Sequence, residues 1–189
     1  GTYGQGFYMY KNGVMKKMPL DKKGYLSYAH CFMPDPKGFC WISTNNGLFK
    51  ASLNALVKAY ENNLPEIYYH YFGENDGMFN IELNGGCQPC ALKLSSGLYS
   101  FPSMSGVVLF DPRQQHTPPP SGKLFIEEVF TGGKLPQHNG SFLQQLPYTL
   151  KNISFRIALP QFGNPQNIYF SYKLEPFNEE WETHDILQN

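Results

Sequence analysis

The sequence predicts an all-β chain, made of the last blades of a β-propeller followed by a partial immunoglobulin-like β-sandwich. Aromatic residues make up 16% of the 189 residues, and 18 Gly and 15 Pro supply many turns. That balance favours short strands with frequent reversals. A hairpin pattern recurs in the first part of the chain, as in repeat proteins. After a Pro-rich stretch, apolar residues alternate along the strands, which is typical of a sandwich.

The clearest hairpin runs from Asp35 to Lys50. A Pro/Gly turn leads into the strand-like run Phe-Cys-Trp-Ile-Ser-Thr at 39–44. Asn45-Asn46-Gly47 then predicts a tight turn, because Asn and Gly tolerate the positive φ that a two-residue hairpin needs. The return strand begins at Leu48.

Imperfect copies of this hairpin lie on both sides of it. Strands on either side of Asn12-Gly13 are predicted to form a hairpin. The first copy lies just before this turn: Thr2 to Tyr8 resembles Thr44 to Phe49 with one more residue in the turn, and Gly6 precedes Gly47 by 41 residues. That spacing lies within the ~40–45 residues of a propeller blade. The third copy covers 98–110, with Phe101 placed in the position of Trp41. Its Gly106 follows Gly47 by 59 residues, which fits one blade plus an insertion.

Further strands are predicted at 26–33, as the inner strand of a blade, and at 67–72 and 90–94. Between them, residues 52–62 predict one short inserted helix. Ser52 can cap its first turn, apolar residues at 53, 56, 57 and 60 fall on one face, and Pro65 lies beyond its end. We interpret this helix as a decoration docked on its own domain.

The predicted domains are propeller blades over 1–116, a linker at 117–121 and a sandwich over 122–189. Three consecutive prolines, 118–120, make a stiff extended linker without amide hydrogens for a sheet. Apolar residues alternate over 153–159 and again over 168–174. Only three or four strands precede Asn189 where about seven are usual. We therefore expect Ile153, Phe155 and Ile157 to pack against a second chain, a swapped strand or the blades.

Composition excludes two classes of partner. The formal net charge is zero, with 15 basic and 15 acidic residues, so no basic excess is present to follow a phosphate backbone and nucleic acid is not expected to bind. No run reaches the ~18 apolar residues of a membrane span. No signal peptide begins the sequence, which opens inside a repeat, so we expect an excised fragment with its targeting segments elsewhere.

Four cysteines raise the question of a metal or redox site. Cys87 and Cys90 have the CxxC spacing of a zinc half-site or a redox pair. Zinc would need two more ligands at similar spacing, and a thioredoxin-like site would need a preceding strand and a following helix. We therefore interpret these residues, with Cys31 and Cys40, as small buried or surface cysteines. A disulfide is the next alternative.

Other polar residues carry no complete motif. Glu74, Asp76 and Glu82 lack the ligand spacing of a calcium loop. His30 lies in an apolar run without triad partners, and is interpreted as a packing histidine. A glycosidase needs two carboxylates about 5–10 Å apart, which the spacing of these acids and of Glu127 and Glu128 does not indicate. No catalytic, metal or cofactor site is predicted, and the ligand-binding residues are unassigned.

Several stretches resemble one known arrangement. Trp41 to Phe49 resembles the two-component regulator propeller repeat. Residues 75–86, 100–106 and 110–112 resemble the final blade of such propellers. Ile168 to Glu175 with Trp181 resembles the Y_Y_Y domain that follows them, although that match stops after Trp181. Trp41, Phe101 and Trp181 are read as structural.

The resemblance implies the extracytoplasmic sensor region of a hybrid two-component system, typical of Bacteroides-type bacteria that sense glycans. A transmembrane helix and a cytoplasmic histidine kinase would follow outside this segment. The expected function is therefore periplasmic sensing of an oligosaccharide and relay of the signal, in a homodimer and without enzymatic activity or a cofactor. Alternatives are a structural or dimerisation module without a ligand site, and a propeller-fold carbohydrate-active enzyme.

Overall fold

A computed structural model of the chain describes residues 1–86, 88–115, 117, 122–131 and 152–185. The described residues form thirteen β-strands and one α-helix, which confirms the all-β class and the single inserted helix. Within these residues no helix is long and apolar enough to cross a membrane. The finer prediction of propeller blades and an immunoglobulin-like sandwich stays a prediction.

Short strands and turns follow one another closely along the chain. The strands are β1 (Tyr8–Lys11), β2 (Val14–Lys17), β3 (Ala29–Pro34), β4 (Phe39–Thr44), β5 (Gly47–Ser52), β6 (Tyr69–Phe72), β7 (Leu92–Lys93), β8 (Tyr99–Ser103), β9 (Gly106–Phe110), β10 (Phe125–Thr131), β11 (Ile153–Ala158), β12 (Tyr169–Tyr172) and β13 (Glu182–Asp185). Helix α1 spans Leu53–Asn62, and 3-10 turns lie at Tyr25–Tyr28, Glu74–Asp76 and Pro165–Asn167.

The chain divides into two compact units. The first combines Gly1–Thr117 with Gly163–Asn189, and the second is Pro118–Phe162. The boundaries predicted for blades, linker and sandwich stay predictions. Most of the secondary structure, including the sheets discussed below, belongs to the first unit.

Strands β3–β6 form a four-stranded antiparallel sheet in chain order, here called the central sheet. Thr44 pairs with Gly47 across the predicted turn, and Gly47 has φ 111°. Contrary to the prediction, neither Asn45 nor Asn46 has a positive φ. The glycine alone supplies the left-handed conformation, as when a hairpin turn is followed by a bulge.

Strands β7–β9 form a three-stranded sheet, here called the distal sheet. Ser103 pairs with Gly106 across a turn of the same length, and Gly106 has φ 149°. This shared register places Phe101 in the position of Ile42, so the predicted match of Phe101 with Trp41 was off by one residue. A shift of one residue moves a side chain to the other face of a sheet.

The first hairpin forms as predicted, with Lys11 paired to Val14. Asn12 and Gly13 take φ 51° and 82°, the two positive values that a type I′ turn requires. The strand predicted at 26–33 begins later, at Ala29. Tyr25–Tyr28 form a 3-10 turn instead, where Asp21 accepts the Leu26 N–H at 2.7 Å.

Helix α1 begins where predicted, because the Ser52 hydroxyl accepts the N–H of Ala55 at 3.3 Å. Its buried face is formed by Leu56, Ala59 and Tyr60. The Tyr60 hydroxyl donates to the carbonyls of Lys11 and Val14 at 3.0 and 2.9 Å. The helix therefore packs against the β1–β2 hairpin of its own unit, as interpreted from the sequence.

Two apolar clusters fill the first unit. One joins the β1–β2 hairpin and α1 to one face of the central sheet, around Ile42 and Phe49. The other joins the opposite face to the distal sheet, around Trp41, Leu48 and Phe101. Trp41 is 1% exposed, and its Nε1 donates to Asp35 Oδ2 at 2.9 Å. Trp41 and Phe101 are thus structural, as predicted.

The later strands differ from prediction in their burial. Trp181 is 68% exposed, so its reading as a structural residue was wrong. In the second unit, β10 pairs with β11, and Ile153 and Phe155 are 42% and 57% exposed. Ile157 is partly buried. Within the described residues, Ile153 and Phe155 are thus largely exposed, and packing of the three side chains against a second chain, a swapped strand or the blades stays a prediction.

Candidate functional site

The side chain of Asn167 occupies the outer edge of the central sheet. Its Oδ1 accepts the N–H of Tyr71 at 2.6 Å, and its Nδ2 donates to the Tyr71 carbonyl at 2.8 Å. One side-chain amide thus meets both backbone groups of an edge residue, as a neighbouring strand would. Asn167 ends the Pro165–Asn167 turn, which Asn164 caps by accepting the Gln166 N–H at 3.1 Å.

A histidine and a tyrosine extend this contact. Asn167 Nδ2 also lies 3.1 Å from His70 Nε2, and because an amide nitrogen can only donate, Nε2 is the acceptor. His70 Nδ1 therefore carries the proton and donates to the Tyr68 hydroxyl at 2.9 Å. That hydroxyl donates in turn to the Asn167 carbonyl at 3.2 Å. The ring is held neutral by a closed set of partners.

Burial is the main reason why the pKa of this histidine is lowered. Desolvation lowers the pKa of His70 to about 4, with Asp76 opposing and Lys50 reinforcing the shift. The neutral form is the one that the hydrogen bonds require, since a proton on Nε2 would face the Asn167 amide donor. Geometry and desolvation therefore agree on the protonation state.

A second contact of the same kind lies at the next turn. Asp76 Oδ2 accepts the Gly73 N–H at 2.9 Å and a bond from Asn164 Nδ2 at 3.3 Å. The Tyr68 and Tyr169 rings also meet edge to face at 5.2 Å. These contacts and those of Asn167 fix residues 164–169 to strand β6 and the turn after it. We call this set of contacts the junction.

A cleft of about 430 Å³ lies between the central and distal sheets. Its apolar wall includes Trp41, Phe72 and Met78, and strand β9 forms much of the other side. Asp76 and Asn80 contribute polar groups, while Phe79 is 95% exposed at the margin. The junction and the cleft share Asp76.

The other polar residues considered in the sequence do not come together at the junction or in the cleft. The ring of His30 bonds to Asn45 Oδ1 at 2.6 Å and packs under Gly85, which suits a packing histidine. Glu74 and Asp76 share one 3-10 turn, but no group of three potential ligands comes together in the described residues. Glu128 pairs with Arg156 at 2.7 Å in the second unit.

The cysteines form no disulfide among the residues that the structure describes. Cys31, Cys40 and Cys90 are free thiols, and Cys87 lies outside the described residues. Burial, followed by a hydrogen bond with the Cys90 thiol, raises the pKa of Cys31 to about 12. Burial raises that of Cys40 to about 11. Thiols with raised pKa values are poor nucleophiles.

Sequence reasoning missed the asparagines of the junction. Asn164 and Asn167 lie in a stretch of ordinary turn composition, Gly-Asn-Pro-Gln-Asn. Their partners Asp76 and Tyr71 lie 88 and 96 residues away in the chain. Nothing in the local pattern marks such distant partners.

No family model matches this chain. It is similar to a curated protein of Formosa agariphila named Histidine kinase P4, with 26% identity over 192 residues. That alignment covers 95% of this chain and 13% of the kinase, so the chain spans about an eighth of its length.

Among solved structures, the chain is similar to the extracellular domain of a hybrid two-component system of B. thetaiotaomicron. The alignment covers 98% of this chain and 25% of that one, with 17% identity and a TM-score of 0.44.

Proposed function

We propose that this chain is part of the periplasmic sensor region of a hybrid two-component system. The observation that carries the proposal is the alignment with a histidine kinase over 95% of the chain. The resemblance of residues 41–49 to a regulator propeller repeat, and of 168–175 to a Y_Y_Y domain, supports the same assignment. The kinase itself would lie outside these residues.

Within that region, the chain relays a change in the sheets to the segment around β12. The junction supports this role, because Asn167 and Asn164 tie that segment to β6 and to the turn at Asp76. A ligand can shift such a system only by binding two arrangements with different affinities. The junction would be made in one arrangement and altered in the other.

The ligand is an oligosaccharide, which the region binds without converting it, as a homodimer. Exposed rings such as Tyr3, Tyr10 and Phe79 support this ligand class, since aromatic faces stack on sugars. We assign no ligand contact among them.

Calorimetry on the whole sensor region against a panel of oligosaccharides tests the ligand. Saturable binding without turnover is the expected result. Failure of every oligosaccharide to bind would contradict glycan sensing, and measured turnover would favour a carbohydrate-active enzyme. Light scattering of the same sample tests the homodimer.

The relay is tested by Asn167→Ala in the full-length protein. We expect ligand affinity to stay within a few-fold of the parent, while ligand-dependent autophosphorylation falls. Asp35→Asn, placed at a turn remote from the junction, serves as a control for lost stability alone. Equal signalling by the Asn167 variant and the parent would contradict the relay role.

A further inference from the structure

Two cysteines, Cys31 and Cys90, meet between the central and distal sheets although they are 59 residues apart in the sequence. Cys31 belongs to β3 of the central sheet, and Cys90 lies two residues before β7 of the distal sheet. Both are free thiols in this structure, and the two thiols share a hydrogen bond. They mark a point at which one covalent bond would join the two sheets.

The sheets are held together at both ends of β3. At its start, a Cβ on Gly85 would lie 2.2 Å from the ring of His30, so the loop that leads to Cys90 runs directly against that ring. At its end, the Tyr99 hydroxyl of β8 donates to the Pro34 carbonyl at 2.6 Å. The two thiols lie between these contacts, which fix the distance between the segments that carry them.

A bulge in β3 sets the direction of Cys31. The register with β4 shifts between Ala29 and Phe32, and the Cys31 N–H donates to the Ser43 hydroxyl at 3.2 Å. Bulges commonly redirect a side chain. Cys31 packs with Met33 against the apolar cluster between the two sheets. Its side chain therefore faces the distal sheet.

Cys40, the third described cysteine, lies elsewhere. It belongs to the cluster on the opposite face of the central sheet, where its Sγ lies 4.0 Å from the Trp41 carbonyl. Cys40 and Cys90 are 5% and 6% exposed. Because the two thiols are equally shielded from solvent, Cys40 is a matched control for Cys90.

We propose that Cys31 and Cys90 form a disulfide that joins the central sheet to the distal sheet. The oxidant is a second disulfide, for example glutathione disulfide. One cysteine thiolate attacks it, which releases one glutathione and leaves a mixed disulfide. The second cysteine then attacks the protein sulfur of that mixed disulfide and releases the other glutathione. The chain loses two electrons and two protons, and the oxidant takes them up as two thiols.

Burial decides when this bond forms. Desolvation, followed by the hydrogen bond with Cys90, raises the pKa of Cys31 to about 12. Little thiolate is then present in the folded chain, and attack on a disulfide is slow. We therefore expect rapid oxidation during refolding, when both thiols are exposed, and slow oxidation of the folded chain.

The formation of this bond in the purified chain is independent of the sensor proposal. Its presence in the cell rests on the periplasmic location proposed above, because the periplasm is an oxidising compartment. Failure of the sensor proposal would therefore leave the result with the purified chain unchanged.

The test treats the purified chain with glutathione disulfide, both during refolding and after folding, and then blocks free thiols with iodoacetamide. Tryptic cleavage places Cys31 alone on peptide 24–37. Cys90 shares peptide 59–93 with Cys87. Mass spectrometry without reduction should show the two peptides linked, sooner in the refolding sample. The Cys87→Ser variant should retain the link, which assigns it to Cys90.

Thermal unfolding gives a second measurement. The melting temperature of the oxidised chain should exceed that of the reduced chain by about 5–10 °C, because the bond closes a long loop. Cys90→Ala should show neither the link nor the rise. Cys40→Ala removes an equally buried thiol on the other face and should retain both.

Three results would overturn the proposal. The first is that peptide 24–37 stays unlinked under both treatments. The second is a link that persists in Cys90→Ala or disappears in Cys87→Ser, which would make Cys87 the partner. The third is a link that leaves the melting temperature unchanged or lowers it, since a disulfide that fits the native contact should not strain the fold.

Discussion

The central and distal sheets contain the same hairpin in different surroundings. Both have a two-residue connection closed by a glycine of positive φ. In the central sheet, Trp41 is covered by the distal sheet. Strand β5 of the hairpin pairs with β6, and Asn167 bonds to the free edge of β6. In the distal sheet, Ser100 stands in place of Trp41, and the outer edge is open in the described residues. The repeat specifies the hairpin, whereas its neighbours decide what each position contributes to stability.

Trp41→Ala should give the largest effect. It leaves a cavity between the sheets and removes the donor to the buried Asp35 carboxylate, at a cost of about 3–5 kcal/mol in free energy of unfolding. Ser100→Ala changes the equivalent distal position and should stay within about 0.5 kcal/mol. Denaturant unfolding followed by circular dichroism measures both. Similar values for the two would contradict the difference in burial.

Gly47→Val and Gly106→Val compare the two turns. At Gly47 a side chain meets both positive φ and the β6 backbone, so we expect a loss of about 3 kcal/mol or more. At Gly106 only the backbone strain applies, and about 1–2 kcal/mol should be lost. Melting temperatures of the two variants show which one is destabilised more. An unchanged value for the Gly47 variant would show that the turn is misassigned.

Asn167→Ala tests the cover of the β6 edge. It leaves the N–H and C=O of Tyr71 without their partner and should cost about 1–3 kcal/mol. Asn167→Asp keeps the acceptor for the N–H but places a carboxylate oxygen against the Tyr71 carbonyl and the acceptor Nε2 of His70, and should cost at least as much as the alanine variant. Exchange of the Tyr71 amide should accelerate in the alanine variant and stay slow in the aspartate variant. Slow exchange in both would contradict the assigned bond.

The pH dependence of unfolding should give a smaller effect than the substitutions of Trp41, Gly47 and Asn167. The pKa of His70 is about 4 in the folded chain and near 6.5 when unfolded, so the unfolded state binds more protons between these values. The contribution of neutral His70 to the free energy of unfolding is therefore fully present above about pH 6.5 and is lost as the pH falls towards 4. The half-buried ring and its exposure to solvent limit the loss to the order of 1 kcal/mol. His70→Gln should remove this component from the pH profile of unfolding, and identical profiles would contradict it.

Local signals in the sequence predicted local structure well. Asn12-Gly13 predicted a hairpin turn because both residues accept positive φ, and Ser52 predicted the start of α1 because its hydroxyl can cap a helix. The alignment of the copies was less exact. Phe101 was placed in the position of Trp41, whereas the register of the two hairpins matches it to Ile42.

Contacts between distant residues could not be predicted in the same way. Trp181 looks like a core residue by type but is mostly exposed, since burial depends on what lies opposite it. Asn167 looks like a turn residue yet meets Tyr71 across 96 positions. Side-chain amides bond equally well to water, so composition alone does not reveal such a contact.

The cover that Asn167 gives to β6 also bears on aggregation. Residues 67–72 read Ile-Tyr-Tyr-His-Tyr-Phe, a segment of high β-propensity without formal charge or proline. Such segments readily stack with copies of themselves when an edge is available. Because Asn167 bonds to both backbone groups of Tyr71, these groups cannot pair with the strand of an incoming chain. Loss of the junction would therefore expose the edge of β6 to pairing with copies of itself.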